Sequence, residues 1–275
     1  FDLKLRKGNN EKREFTVQAG FLGLDVAAEG PFSKKYNGSY LINYRYSTLA
    51  AIGKMIDLGD AATDFQDLSL NIYLPTKNAG QFTIFGFGGL SGQKFEAEKD
   101  SVKWEEEGER YSSTFSSNTG AIGATHSISI GKKTFLRSAL VGSVYDNNYR
   151  EKRLNDNYVN ESRAQGQTLN DRAILSTTLH HKFNAKHSIR TGLIFSRIGF
   201  SIEQRDYDFE KDAVVKTLDV SESTYTTQGF ATWMNRITEK LSLQLGVHYL
   251  GLAINETYSV EPRAGIKYTV NEKQS

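Results

Sequence analysis

The sequence predicts an all-β chain whose strands form an antiparallel transmembrane β-barrel. Three observations support this prediction: long segments alternate apolar and polar residues, short and long connections alternate between them, and 14 Tyr and 16 Phe are spread along the chain. No stretch approaches the roughly 20 apolar residues that a membrane-spanning helix needs. Half of a barrel's side chains face water, so a mean hydropathy of −0.49 is compatible with a membrane-spanning sheet.

The alternation places about 11 strands along the chain, and most are longer than the roughly 5–6 residues usual in globular proteins. A tilted strand needs about 9–11 residues to cross the hydrocarbon layer, and these segments have that length or more. The predicted strands are 13–30, 38–48, 66–75, 81–92, 111–131, 134–149, 169–184, 187–204, 221–238, 241–256 and 258–270.

The pattern is clearest in residues 258–270, "YSVEPRAGIKYTV". Apolar, small or aromatic side chains occupy every second position, which is the period of a strand with two different faces. The opposite face carries three charges, Glu261, Arg263 and Lys267. Pro262 has no N–H to donate to a ladder, so we expect a local bulge or a missing hydrogen bond there.

The connections between the predicted strands fall into two classes. Those on one side are short and rich in turn residues: 31–39, 75–81, 131–134, 184–188, 238–242 and 271–275. Those on the other side are long, polar and charged: 49–65, 93–110, 150–168 and 205–220. Outer-membrane barrels have short periplasmic turns and long external loops, whereas a β-sandwich has no reason to sort its loops by length. A sheet in lipid must also close on itself, because lipid offers no partner to its backbone edges.

Several segments resemble TonB-dependent outer-membrane receptors of the Bacteroidetes type. The stretch "FDLKLRKGNNEKREFTVQAGFLGLDVAAEGPF" resembles the junction between their plug and barrel, and "DLSLNIYLPTKNAGQFTIFGFGGLSG" resembles the next hairpin. Later hairpins are matched by "FNAKHSIRTGL" and "YSVEPRAGIKYTVNEKQS". The resemblance covers essentially the whole chain, and it rests on the order and spacing of these segments.

The resemblance implies that residues 1–10 are the end of a plug domain with its junction, and that residues 11–275 are the N-terminal portion of the barrel. Such a barrel has about 22 strands and a plugged lumen. It lies in the cell outer membrane of a Gram-negative bacterium and imports a scarce ligand with energy passed on through TonB. No TonB box and no closing strand are seen in the sequence, so we expect a piece of a longer polypeptide.

The implied partners are outer-membrane lipid and lipopolysaccharide, and the TonB complex through a plug outside this sequence. Other outer-membrane subunits or surface lipoproteins that cap such receptors are a further class. A net charge of +2 offers no strong field for nucleic acid. Two rival hypotheses stay open: a receptor-like barrel that serves as a structural or partner subunit of an outer-membrane complex, and a secreted β-rich adhesin or sandwich.

Catalysis is not indicated, and neither a cofactor nor a metal is implied. The sequence has no G-x-S-x-G nucleophile elbow, a motif that belongs to strand–turn–helix units. His180 and His181 are adjacent on a strand, so they face opposite ways and do not chelate one ion from a regular strand. His126 and His248 are expected at lumen-type positions, and ordinary polar lumen residues are the favoured interpretation of both.

Six charged residues are candidates for the lumen wall. Either they contact an anionic ligand or they dock the plug through bidentate pairs with carboxylates, and the sequence does not separate these roles. The candidates are Arg45, Arg137, Arg190, Glu261, Arg263 and Lys267.

Overall fold

The computed structural model describes residues 5–21, 23–49 and 63–270. These residues form one sheet of twelve strands, in which each strand pairs antiparallel with the next one along the chain. The strands are β1 (Glu14–Gly20), β2 (Gly23–Ser33), β3 (Tyr36–Ser47), β4 (Asp64–Pro75), β5 (Gln81–Phe95), β6 (Tyr111–Ile130), β7 (Thr134–Leu154), β8 (Asn160–Lys182), β9 (His187–Asp208), β10 (Ala213–Arg236), β11 (Leu241–Leu252) and β12 (Thr257–Tyr268).

The register gives the sheet an apolar face and a polar face. Ile72 pairs with Ile84, which pairs with Ala124, and the same row continues through Leu140 to Leu175. Side chains directly opposite each other share a face, so the alternation in each strand becomes one continuous apolar surface. The polar residues of the same strands collect on the opposite face.

The apolar face has no partner within the described part of the chain. Leu140 and Leu175 keep 59% and 56% of their surface exposed, and no Leu, Ile, Val, Met, Phe, Tyr or Trp of the described residues except Leu154 is buried. A soluble sandwich of this size would bury such a face between two layers. No helix among the described residues has the length and apolar character needed to cross a membrane.

The segment predicted as one strand over 13–30 is two strands. β1 ends at Gly20 and β2 begins at Gly23, and these two glycines pair across the hairpin. Only two residues separate the strands, too few to show the polar composition that marks the other connections. The described sheet therefore has twelve strands where the sequence predicted about 11.

The predicted long loops 150–168 and 205–220 are mostly strand, so these predictions were wrong. β7 and β8 continue to a connection over 155–159, and β9 and β10 continue to one over 209–212. Charged and polar residues interrupt the alternation of apolar residues there, while the backbone ladder continues. The connection over 96–110 does contain irregular chain with two 3₁₀ turns, at Ser101–Lys103 and Glu107–Arg110. Residues 50–62 and 271–275, parts of the predicted 49–65 and 271–275 connections, lie outside the described residues.

Of the two alternatives expected at Pro262, the bulge is absent, and the missing hydrogen bond stays a prediction. Pro262 pairs with Val247, and the register between β11 and β12 runs without a shift. β12 is the last strand of the described sheet, and proline is tolerated in an edge strand where its nitrogen points away from the ladder.

Candidate functional site

Three of the six predicted lumen residues lie together on the polar face of β7–β12. Arg137, Arg190 and Arg263 line one concavity of about 1170 Å³, called here the basic concavity. The register explains the assembly: Arg190 stands opposite Thr232, Thr232 stands opposite Gly246, and Gly246 stands opposite Arg263. Arg190 and Arg263 thus lie in one row with two strands between them, and Arg137 lies in the adjoining row of the same face.

Basic and neutral side chains make up the lining. No Asp or Glu of the described residues lines the basic concavity. Hydroxyl groups of Ser176, Thr178 and Thr232 lie between the cations. The Lys, Arg and His residues whose strand positions or turn place them there are Arg137, His180, Lys182, Lys186, Arg190, Arg236, His248 and Arg263.

Most arginines outside the basic concavity are paired with carboxylates, whereas within it only Arg263 forms an ion pair among the described residues. Arg137, Arg190 and Arg236 have no carboxylate within ion-pair distance among the described residues. The arginines that do pair are Arg6, Arg45, Arg110, Arg153, Arg163, Arg197, Arg205 and Arg263. The summed positive potential of the basic concavity is therefore only weakly offset from within the described sheet.

Arg190 lies between His180 on β8 and Phe230 on β10. His180 stands directly opposite Arg190 in the β8–β9 ladder. The Arg190 guanidinium lies 5.9 Å from the centroid of the Phe230 ring, within the range of a cation–π contact. Phe230 covers Gly192, where an added Cβ would come within 2.6 Å of the ring.

Glu261 lies beside the basic concavity rather than in its lining. Its carboxylate accepts a hydrogen bond from Arg263 at 2.8 Å and lies 3.5 Å from Nδ1 of His248. This carboxylate partly neutralises one edge of the cluster. Lys267 pairs with Ser242, which in turn pairs with Arg236. Lys267 does not line the concavity.

Arg45 lies apart from the other candidates, on the polar face of β3. Its Nη2 is 2.7 Å from the Asp67 carboxylate on β4, and its Nε donates a second bond to the same oxygen at 2.8 Å. Arg45 thus forms a cross-strand ion pair with Asp67, and its charge is already compensated.

The histidines divide between the two faces. His180 and His181 point to opposite faces as predicted, because His180 joins the basic concavity while Nδ1 of His181 is 2.8 Å from the Thr134 hydroxyl. The expectation for His126 was wrong: it stacks on Phe82 and shares the apolar face with Ile122. The described residues contain no group of three or more His, Asp or Glu placed to hold a metal ion.

Residues 5–13 cross the polar face of β2–β4, at the short-turn end of the sheet. Arg6 donates two hydrogen bonds of 2.6 Å to Glu29, and the Asn9 N–H donates one of 2.7 Å to the same carboxylate. Lys7 lies 3.5 Å from the centroid of the Tyr73 ring. Gly8 packs so tightly that an added Cβ would come within 2.0 Å of the Tyr40 carbonyl oxygen. This segment, called here the entry segment, is held on the wall by side chains and backbone together.

Comparison with solved structures identifies the architecture as that of an outer-membrane β-barrel. The pyoverdine outer membrane receptor FpvA from Pseudomonas aeruginosa, bound to pyoverdine, superposes with a TM-score of 0.68 at 12% identity, covering 98% of this chain and 45% of the receptor. The siderophore receptor PiuA from Acinetobacter baumannii gives a TM-score of 0.63 at 12% identity, covering 97% of this chain and 48% of that one. The chain thus spans less than half the length of these structures. No family model and no curated protein matches the sequence.

The chain therefore forms an all-β, antiparallel transmembrane barrel sheet. In that architecture the apolar face meets lipid and the polar face lines the lumen, so the basic concavity and the entry segment both lie on the lumen side. Sequence reasoning missed His180, Lys182 and Arg236 as members of the concavity. Their signal was available, since alternate residues from 176 to 182 share a face, but only the register joins them to Arg236.

Proposed function

We propose that this chain is part of the barrel of a TonB-dependent outer-membrane receptor, of the Bacteroidetes type that its sequence resembles. In this proposal the barrel has about 22 strands and lies in the outer membrane of a Gram-negative bacterium. It captures a ligand with its external loops and imports it through a plug-gated lumen without covalent chemistry.

One observation carries the proposal: an entry segment lies on the lumen wall and leads directly into β1. The Arg6–Glu29 pair and the close packing of Gly8 on Tyr40 hold residues 5–13 against the polar face of the sheet. A chain that comes from within the lumen is what a plug joined to the first barrel strand requires. The likeness to two outer-membrane receptors supports the same architecture.

The extended hairpins beyond the apolar band support capture from outside. β7–β8 and β9–β10 continue as paired ribbons to their connections at 155–159 and 209–212. Arg110 ties the neighbouring 96–110 connection to this assembly, because it donates to the Leu154 carbonyl at 3.0 Å and to Asp156 at 2.6 Å. These paired ribbons and the loops between them form a surface on which a ligand or a capping lipoprotein can bind.

Import is tested with the full-length protein in its native host. Deletion of the gene should abolish growth on one scarce nutrient, and depletion of TonB should reproduce that loss while the receptor is still produced. If the deletion strain instead loses an outer-membrane complex and keeps all TonB-dependent uptake, the protein is a structural subunit. Extraction of the protein without detergent would contradict both membrane functions.

A further inference from the structure

We infer that the basic concavity binds a small multiply charged anion that carries carboxylate or phosphate groups, and that such anions are the substrate class of the receptor. This inference rests on the proposed import function and names the chemistry of its ligand. The lining contains six Lys and Arg residues and three histidines but no Asp or Glu of the described residues. The nearest carboxylate, Glu261, contacts only Arg263 and His248 at one edge.

The donors of the basic concavity are arranged for an anion of more than one charged group. Arg137 and Arg190 lie in adjoining rows on nearby strands, with Thr178 and His180 between them in the register. Guanidinium groups bind carboxylate and phosphate through paired N–H donors. Hydroxyls of Ser176, Thr178 and Thr232 add neutral donors. Acceptors are few, so the site is suited to anions and not to cations.

The described sheet leaves most cations of the basic concavity without a compensating charge. Arg137, Arg190 and Arg236 share one face of the sheet, and none of them has a carboxylate of the described residues within ion-pair distance. Elsewhere the sheet compensates similar charges, as in the pairs of Arg45 with Asp67 and Arg205 with Glu203. A bound polyanion would supply the missing negative charge, which is the reason we assign the concavity to a ligand.

The size of the site accommodates a small solute. Its volume of about 1170 Å³ is slightly above the roughly 300–1,000 Å³ usual for small-molecule pockets. Phe135 and Phe230 contribute apolar ring surface within the same lining. Binding sites commonly combine such surface with a few placed charges.

The test is titration of the purified full-length receptor with pyrophosphate and with citrate at low salt. Replacement of both Arg137 and Arg190 by Gln (R137Q/R190Q) should weaken binding at least tenfold, because each lost charge-assisted contact corresponds to about that factor. R150Q combined with R172Q removes two positive charges elsewhere and should leave affinity within about twofold. Raising the salt concentration should weaken wild-type binding, since screening acts on a charged site.

Three outcomes overturn the inference. Neither anion binds the full-length receptor; or binding is equal in R137Q/R190Q and in R150Q/R172Q; or R137Q/R190Q only lowers the melting temperature, which would assign the arginines to docking of plug carboxylates. These outcomes are separable from failure of the proposed function. If uptake depends on TonB and R137Q/R190Q imports as well as wild type, import stands and the anion assignment falls. If the gene deletion affects no uptake, the titration still reports on the site.

Discussion

Replacing Gly8 by Ala should detach the entry segment from the lumen wall. An ideal Cβ at this position lies 2.0 Å from the Tyr40 carbonyl oxygen and 2.6 Å from its carbonyl carbon. Tyr40 is fixed in the ladders with β2 and β4, so the backbone it belongs to cannot retreat. Gly8 does not have a positive φ, and alanine therefore adds no conformational strain of its own. The effect of the substitution is steric.

The magnitude follows from the contacts that the displaced segment loses. The Arg6–Glu29 pair contributes at most about 1 kcal/mol, because the Arg6 side chain is 64% exposed. The Asn9 N–H bond to the same carboxylate adds about 1.5 kcal/mol, and the Lys7–Tyr73 contact adds about 0.5–1 kcal/mol. Their sum of about 3 kcal/mol corresponds to roughly a hundredfold increase in the detached population.

A cysteine at Ser39 reports the detachment. Ser39 is 1% exposed, its neighbour Tyr40 lies under Gly8, and its cross-strand partner is Tyr73, the ring that Lys7 covers. The chain has no other cysteine, so maleimide modifies only this site. G8A should speed modification of S39C roughly a hundredfold, whereas G108A, where a Cβ meets nothing within 4 Å, should not. Equal rates in the two variants would refute the reasoning.

Three further predictions concern the loops and the lipid face. Arg110→Ala removes the hydrogen bond to the Leu154 carbonyl. The local stability should fall by about 2 kcal/mol, because the arginine side chain is only 13% exposed. Hydrogen exchange over 96–110 and 155–159 should therefore become faster. The hydrogen bond from Arg153 lowers the pKa of Glu107 below its ordinary 4.5. The Arg153–Glu107 pair therefore stabilises the loop fully above pH 4.5, and this stabilisation is lost as the pH falls through the lowered pKa. Proteolysis of 96–110 should accelerate only at acid pH. Leu140→Lys on the apolar face should cost about 2–4 kcal/mol when the barrel unfolds from lipid, measured by denaturant titration in vesicles.

Local periodicity was sufficient to predict the strands and their faces wherever one face is apolar. The alternation in 258–270 and 241–256 placed Leu245, Val247 and Ala264 on one face, and the register confirms that they are neighbours. The fold class followed from the same signal together with the lengths of the connections. In these segments the alternation within each strand already shows which side chains share a face. The pairing with neighbouring strands is not needed to predict that orientation.

Periodicity did not predict strand segments without an alternation of apolar residues. It also did not predict contacts that depend on the register between strands. Residues 150–154 and 205–208 are paired strand, yet their charged sequence lacks an apolar period. His126 was expected on the lumen side, although its parity with Ile122 places it on the apolar face. The basic concavity was predicted only in part, because the meeting of Arg137, Arg190 and Arg236 depends on strand offsets. Such offsets are long-range properties that no segment carries alone.

The central claim, that the apolar face of this sheet meets lipid and the polar face lines a lumen, is tested most directly with spin labels at positions 140 and 141. Leu140 and Val141 are consecutive on β7 and face opposite ways, and the chain has no native cysteine to interfere. In native outer membranes the label at 140 should be accessible to oxygen dissolved in lipid, and the label at 141 to a water-soluble nickel chelate. Equal access of the nickel chelate to both positions would contradict the membrane barrel.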